Sequence, residues 1–376
     1  MAPQGPPPVY HHPAPPPGRV TIHGVGDAAA FLQECVEETQ AKPQFQRNGH
    51  LVFTGAAALW AWIYIVLPDG TELDHWERHA TFEDVATLAG RLHINPLGVM
   101  SPFSTSSVDA LWVDSHDGTP FLKALMHATM EEAGETFDPQ PAPASRHEWP
   151  NGVGFLMRAS RQYLGFSTPT HDQHIVYDVR VDLAPGFHDS AAVEHKFSML
   201  NDADTVIGVK VAKFPYLFCE ALADLAEVVD VHQRQQARPQ IFRNQPPGES
   251  LMLVGSAVVY LYIVYIVAKT KGGNTFSEPE LRSTLPLPPR PQFTAAIQWM
   301  SRCSSDAVQL LGQTATAYLA VSNKRQQLFR PPRGQRSPES WPVRFGRCFE
   351  DVQKFANMVA RYYAVFASAP PHHVPL

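Results

Sequence analysis

Three groups of residues in this chain have residue types and spacings that could bind a ligand or a metal ion. The first is Gly24, Gly26 and Ala29, which match the G-x-G-x-x-A pattern that binds the pyrophosphate of a dinucleotide. That pattern needs a strand, a tight turn and a helix N-terminus, and the strand before Gly24 is short. Asp27 would place a carboxylate where the phosphate belongs, whereas a helix N-cap favours this residue type. We therefore interpret the segment as the capped start of an amphipathic helix.

The second group is a pair of histidines, His75 and His79, which could share one face of a helix. Zinc proteases require H-E-x-x-H or H-x-x-E-H, and Glu77 occupies neither acidic position. The four cysteines lack metal-ligand or redox spacing, which favours a reducing compartment. The sequence also lacks a P-loop, a nucleophile elbow and a kinase signature. We predict a protein that is not an enzyme, with no catalytic residue, no metal and no cofactor.

The third group is a basic segment at residues 324–347, with seven basic side chains and one acid. Phe329, Trp341 and Phe345 are interleaved with the charges. Clustered cations neutralise phosphates, and exposed aromatic rings stack on bases, so the pattern indicates contact with RNA. Arg-Pro-rich loops also pack between subunits or bind acidic surfaces, and that alternative stays open. The candidate RNA-binding residues are Lys324, Arg325, Arg330, Arg333, Arg336, Arg344 and Arg347.

Composition limits the class of protein that must position these groups. The 376 residues are 44% hydrophobic, enough to bury a large core. A net charge of -6 excludes a generally basic nucleic-acid binder but not a local basic surface. The N-terminus lacks the pattern of a signal peptide, in which a basic region is followed by an apolar one. The chain also contains 35 prolines, a large number for a helical protein.

Two apolar runs organise the chain, Leu51–Val66 and Leu251–Ala268. Each is apolar on every side, so neither can be a surface helix with one solvated face. Both are short for a membrane span, which needs about 20 residues, and long for a strand, which typically has about 5–6. We predict long buried central helices, with a change to extended chain allowed at the Trp- and Tyr-rich end.

The two runs are also similar to each other. Gly255 aligns with Gly55, and Tyr260 aligns with Trp60, at a separation of 200 residues. A self-match of this kind is compatible with an ancient internal duplication.

Proline-rich stretches suggest five regions. We predict a disordered arm at 1–19, a helical body at 20–135, a protruding segment with strands and a helix at 136–240, a second helical body at 241–368 and a flexible tail at 369–376. The predicted fold class is mainly α with a small β-containing middle segment (α+β).

Periodicity places the elements within these regions. Alternation at 174–183 and 206–211 predicts half-buried strands, most simply antiparallel partners of each other. A strong helix is predicted from Pro215. Further helices are predicted at about 82–92, 120–132, 293–302, 307–321 and 349–366.

The general plan resembles the capsid proteins of small double-stranded RNA viruses, especially the partitivirus-like group. The resemblance rests on the proline-rich arm at Pro3–Pro17, the helical body around the two apolar runs and the strands at His174–Leu183. It implies subunit dimers that build an icosahedral shell around RNA, with the middle segment as a surface projection. It also implies a location in the virion and the host cytoplasm, with self-association as the main interaction and no membrane contact.

Besides a ligand-binding enzyme, which would have a single deep polar pocket, two other classes remain as alternatives. One is a nucleoprotein or filament coat protein that wraps single-stranded RNA in a groove. The other is a membrane protein with two spans, formed by the two apolar runs.

Overall fold

The computed structural model describes residues 25–47, 49–63, 107–114, 119–132, 137–138, 152–160, 174–184, 187, 191–199, 202–237, 247–271, 277–285, 289–326 and 341–368. Several predicted features lie outside these ranges. They are the arm at 1–19, the histidines His75 and His79, the helix at 82–92 and the tail at 369–376.

The protein is mainly helical, with a smaller β component, as the sequence predicts. The described helices are α1 (Val25–Gln40), α2 (Gly55–Ile63), α3 (Thr119–Glu132), α4 (Phe214–Ala237), α5 (Pro247–Lys271), α6 (Glu278–Thr284), α7 (Pro291–Arg302), α8 (Ser305–Gln326) and α9 (Trp341–Ser368). The described strands are β1 (His50–Thr54), β2 (Ser107–Val113), β3 (Phe137–Asp138), β4 (Gly152–Ser160), β5 (His174–Leu183), β6 (Ala192–Met199) and β7 (Asp202–Ala212).

The described strands form one mixed sheet in the order β3-β4-β5-β2-β1-β7-β6. At its centre β1 and β2 are antiparallel, while β5 runs parallel to β2 and β7 runs parallel to β1. Leu51, Val52 and Phe53 of β1 are all buried, because a central strand is covered on both faces. This burial explains why β1 reads as a continuous apolar run rather than an alternating one.

The predicted pairing of the two middle strands is wrong. β5 and β7 both form, but β2 and β1 lie between them. The antiparallel neighbour of β5 is β4, and that of β7 is β6. Alternation shows that one face of each strand is buried, but it carries no information about which strand completes the hydrogen bonds.

The segment predicted to protrude, 136–240, supplies β3 to β7 and α4. Its strands share the sheet with β1 and β2, which precede it in the chain. α4 packs against α5 and α7, which follow it. The described strands and helix of this segment therefore pack against elements that precede and follow it in the chain.

The first apolar run is not one long helix, contrary to prediction. Residues 50–54 are β1, and α2 begins at Gly55, whose φ of 54° lies in the left-handed region that favours glycine. The aligned residue Gly255 lies inside α5. Aligned residues therefore have different backbone conformations, and the structure does not support the duplication.

The second apolar run is a buried helix, as predicted. α5 packs against α4, α8 and α2, and its residues Leu261, Ile263 and Val264 are fully buried. Ser250–Lys269 is long and apolar enough to cross a membrane, but 82% of its most apolar window is buried inside the protein. Core helices of soluble proteins can be equally long and apolar, so this segment is weak evidence for a membrane span.

Most other predicted helices are confirmed, although α9 begins at Trp341, eight residues before its predicted start. α3, α4, α7, α8 and α9 include the helical segments predicted for those regions. Ser304 caps α8 by accepting a hydrogen bond from the Ala307 N–H over 3.2 Å, in accord with the predicted serine cap. α1 begins at Val25, so Asp27 lies within the helix and is not its N-cap.

Candidate functional site

The basic residues predicted to bind RNA divide into three sets. Lys324 and Arg325 lie in the last turn of α8. Arg344 and Arg347 lie near the start of α9. Arg330, Arg333 and Arg336 lie outside the described residues. The structure thus places four of the seven on two helices that pack against each other.

The aromatic residues at the start of α9 are packed rather than open to solvent. The Phe345 ring is fully buried and meets the Tyr262 ring edge-on, with the centroids 5.2 Å apart. The partly buried Trp341 ring stacks on Phe345 at 5.6 Å. The expectation that Phe345 stacks on a base is therefore wrong. Phe345, Phe349 and Val352 follow helical spacing, and that signal could have predicted a core role.

Arg344 lies over the face of the Trp341 ring. Its guanidinium carbon lies 5.0 Å from the centroid of the Trp341 ring, within range of a cation–π interaction. The first turn of α9 contains no acid to balance the helix dipole. Cations near a helix N-terminus are unfavourable for the helix itself and favour an external anion there. Arg344 and the exposed Arg347 therefore form the described part of a candidate phosphate-contacting surface.

A second surface, which the sequence reading missed, lies on the outer side of α8. Residues 307–323 contain no charged side chain. Leu310 is 63% exposed, and Gln313, Ala317 and Ala320 are exposed at helical spacing from it; Gln309 and, one turn before Leu310, Asp306 are also exposed on this side. We call this stripe, Leu310, Gln313, Ala317 and Ala320, the α8 outer face.

The opposite side of α8 explains why this helix is so short of charge. Leu311, Ala315 and Leu319 are buried within the core. Gly255 of α5 approaches so closely that a Cβ there would lie 2.6 Å from the Tyr318 Cβ. The inner side therefore has to be apolar, but this requirement does not extend to the outer face. The absence of charge across residues 307–323 was the available sequence signal for the α8 outer face.

A third group of polar residues lies where β1 ends and α2 begins. Glu220 of α4 accepts a hydrogen bond from the Gly55 N–H, with 2.8 Å from the nitrogen to Oε2. The carboxyl group is enclosed by protein, although Glu220 keeps a small part of its surface accessible. Glu220 thus provides a cap for α2 from 165 residues away in the chain.

Burial raises the pKa of the Glu220 carboxyl to about 8, and the nearby carboxylates of Asp109 and Asp224 act in the same direction. Hydrogen bonds from Gly55 and Thr54 favour the charged form and partly oppose this rise. Glu220 therefore carries a proton at neutral pH. Sequence reasoning missed this residue, because Glu220, Asp224 and Glu227 follow helical spacing on α4, a pattern typical of a solvated face.

These acids do not amount to a metal centre. Within the described ranges, no group of three or more His, Cys, Asp or Glu side chains is arranged to hold a metal ion. The Glu220 carboxyl is instead engaged with the backbone at the start of α2. Its clearest chemical role is to retain a proton and to fix the β1–α2 turn.

No protein-family model matches the chain, and a search of curated proteins finds no similar sequence.

Proposed function

We propose that this chain is a self-assembling structural protein of the coat-protein class that encloses RNA. The main observation in support of the proposal is that the α8 outer face is exposed but carries no charge. A surface helix ordinarily presents charged residues to water, whereas this face presents Leu310, one amide and two alanines. Charged residues are depleted at the centre of subunit interfaces, and a second copy of the chain would cover this face in an assembly.

The packing of α5 supports a rigid subunit. Its side chains interlock with α4 and α8, and Tyr265 ties it to α9 by donating a hydrogen bond to Asp351 over 2.9 Å. Lys269 adds an ion pair to the same carboxylate at 2.8 Å. A rigid subunit loses little conformational entropy on association, which favours repeated contacts of one geometry.

The position of the basic residues supports RNA as the enclosed partner. Lys324 and Arg325 lie in the last turn of α8, and Arg344 and Arg347 lie at the start of the neighbouring helix. The chain carries a net charge of -6, so phosphate contacts depend on a local concentration of cations. The two surfaces together serve one task, since subunit contact and phosphate contact occur along adjoining parts of α8 and α9.

Particle formation tests the proposal directly. Negative-stain electron microscopy and sedimentation of the purified chain should show closed particles of uniform size. The variant Leu310→Glu should assemble much less, because burial of an unpaired carboxylate in a subunit contact costs several kcal/mol. The variant should keep the helical content and the melting temperature of the parent monomer, since Leu310 is exposed.

Ala295→Glu is the matched control, because Ala295 is an exposed residue in the middle of α7. It introduces the same charge away from the α8 outer face and should assemble normally. If Leu310→Glu also assembles normally, α8 does not form a subunit contact. If the parent chain remains a single subunit at every concentration, the proposal is wrong.

The same images separate the alternative classes. A filament coat protein would give RNA-dependent rods, whereas a shell can also form after nuclease treatment. The alternative with two membrane-spanning helices is inconsistent with β1, because residues 50–54 pair with β2 and β7 in the sheet.

A further inference from the structure

Three helices meet around a small group of polar side chains that the proposed assembly does not use. Tyr216 lies in the first turn of α4, Arg290 directly precedes α7 and Tyr363 lies towards the end of α9. α7 packs against both α4 and α9. The Tyr216 ring meets the Phe293 ring of α7 edge-on, with the centroids 5.1 Å apart.

The two tyrosine hydroxyls are buried and unpartnered. Tyr216 is 0% exposed and Tyr363 is 5% exposed. Neither hydroxyl oxygen has a hydrogen-bond partner among the described residues. A buried polar group without a partner destabilises the fold, so each of these hydroxyls requires a physical explanation.

Arg290 brings a positive charge to the same place. Its guanidinium carbon lies 5.7 Å from the centroid of the Tyr216 ring. Its hydrogen bond to Asp182 is long, at 3.5 Å, and involves Nη1. A guanidinium has five N–H donors, and within the described ranges the remaining donors of Arg290 have no hydrogen-bond partner. The side chain is 26% exposed, so the charge can be reached from solvent.

The pKa shifts of the two tyrosines show that their hydroxyls can act as hydrogen-bond donors. Burial raises the pKa of both Tyr216 and Tyr363, so both remain protonated and able to donate at neutral pH. The charge of Arg290 acts on the pKa of both phenols in the opposite direction to burial. The surroundings thus supply hydrogen-bond donors and one cation, and the carboxyl groups of Asp182 and Glu220 also act on Tyr216.

We infer that Tyr216, Tyr363 and Arg290 form a binding site for a carboxylate group. The guanidinium fork matches a planar carboxylate, and the two hydroxyls can donate to its oxygens. A singly charged carboxylate fits better than a phosphate dianion, because a single cation already close to Asp182 cannot balance two buried charges. The carboxylate can belong to a small molecule or to a peptide.

Acetate is the probe for this site. Thermal unfolding of the full chain should be compared in sodium acetate and in sodium chloride at the same pH and ionic strength. Acetate at about ten times its dissociation constant should raise the melting temperature by about 2 °C relative to chloride. Inorganic phosphate at matched ionic strength should give a smaller rise.

Two conservative variants identify the site. Tyr216→Phe and Tyr363→Phe keep the rings and remove only the unpartnered hydroxyls. In chloride each variant should melt at the parent temperature or slightly above it, because an unpartnered buried group has been removed. In acetate each should lose at least half of the parent rise. Tyr318→Phe on α8 is the control and should keep the whole rise.

Three outcomes would overturn the inference. The first is an equal melting temperature in acetate and chloride for the parent chain. The second is a full acetate effect in both Phe variants, which would place the acetate elsewhere. The third is a larger effect of phosphate than of acetate, which would contradict the carboxylate preference. None of these outcomes depends on whether the chain assembles into particles.

Discussion

The proton on Glu220 makes stability depend on pH. The carboxyl has a pKa of about 8 in the folded chain and an ordinary value of 4.5 when unfolded. Between these values the folded state binds more protons than the unfolded state, so the free energy of unfolding falls as pH rises. Above about pH 8 the free energy of unfolding no longer falls with pH on account of Glu220, because the carboxyl is then ionised in both states. The largest possible effect is about 1.4 kcal/mol for each pH unit between the two pKa values.

Glu220→Gln should remove this dependence. The glutamine side chain keeps an acceptor for the Gly55 N–H and cannot ionise. Urea unfolding should therefore show similar stability of parent and variant at pH 5, and a more stable variant at pH 9. Glu350→Gln, at an exposed position on α9, should differ from the parent equally at both pH values. A constant difference for Glu220→Gln as well would show that the carboxyl ionises normally.

Gly55 donates the backbone hydrogen bond that Glu220 accepts. At φ 54° a residue with a Cβ costs about 1–2 kcal/mol, and the new Cβ would lie 2.9 Å from Oδ2 of Asp109. Gly55→Ala should therefore lower the free energy of unfolding by about 2 kcal/mol in urea titrations.

Gly312→Ala on α8 is the matched control for this substitution. The nearest atom to its new Cβ would be the Cβ of Phe345 at 3.5 Å, an ordinary contact. Helix propensity then favours alanine by up to about 1 kcal/mol. If both substitutions were stabilising, the backbone at residue 55 could not have the left-handed conformation described.

At the scale of single residues, sequence could predict burial better than contacts. The spacing of Phe218, Leu222 and Leu225 was enough to predict one buried face of α4, and all three are fully buried. The contact between Glu220 and Gly55 joins residues 165 positions apart. No local pattern reports such a contact, because it depends on how β1 and α4 are brought together by the whole fold.

Among the elements, the crossing of α5 and α8 depends on one glycine. A Cβ at Gly255 would lie 2.6 Å from the Tyr318 Cβ and 3.0 Å from the Thr314 carbonyl oxygen. The second of these atoms is backbone, so the helices would have to separate. Gly255→Ala should destabilise the chain by about 1–3 kcal/mol, although alanine is the better helix former.

Gly346→Ala on α9 tests the same change without the close approach. No atom lies within 4 Å of the Cβ it would add. This variant should gain up to about 1 kcal/mol in chemical denaturation. Should Gly255→Ala gain as much, α5 and α8 would not be in the close contact described here.

At the scale of elements, sequence predicted helices better than strands. α5 and α9 were predictable because a helix satisfies its own backbone hydrogen bonds and shows its burial within one segment. The first apolar run illustrates the limit. Leu51–Phe53 and Ala57–Leu59 are both buried, so composition does not show the change from strand to helix at Gly55. Strand partners were not predictable either, because β1 pairs with β2 and β7, whose ends are separated from it by long stretches of chain.

For the whole molecule, the sequence predicted that apolar helices would be enclosed by protein, and the burial of α5 confirms this for the second run. Assembly and RNA contact stay predictions, since both depend on surfaces between molecules. The predicted RNA segment was defined by its density of positive charge and by the aromatic residues interleaved with it. The structure refines it by assigning Phe345 to the core and by leaving Arg344 and Arg347 at the start of α9.

The salt dependence of RNA binding tests the remaining part of this surface. Each phosphate neutralised on single-stranded RNA contributes about 0.7 to the slope of log K against log salt concentration. Arg344→Gln combined with Arg347→Gln should therefore make the slope shallower by about 1.4 if each side chain contacts one phosphate. Fluorescence anisotropy with a labelled single-stranded RNA at several salt concentrations measures the slope. Arg361→Gln, an exposed substitution further along α9, should leave it unchanged. An unchanged slope in the double variant would place the RNA contact away from α9, because counterion release is counted at the phosphates that the protein neutralises.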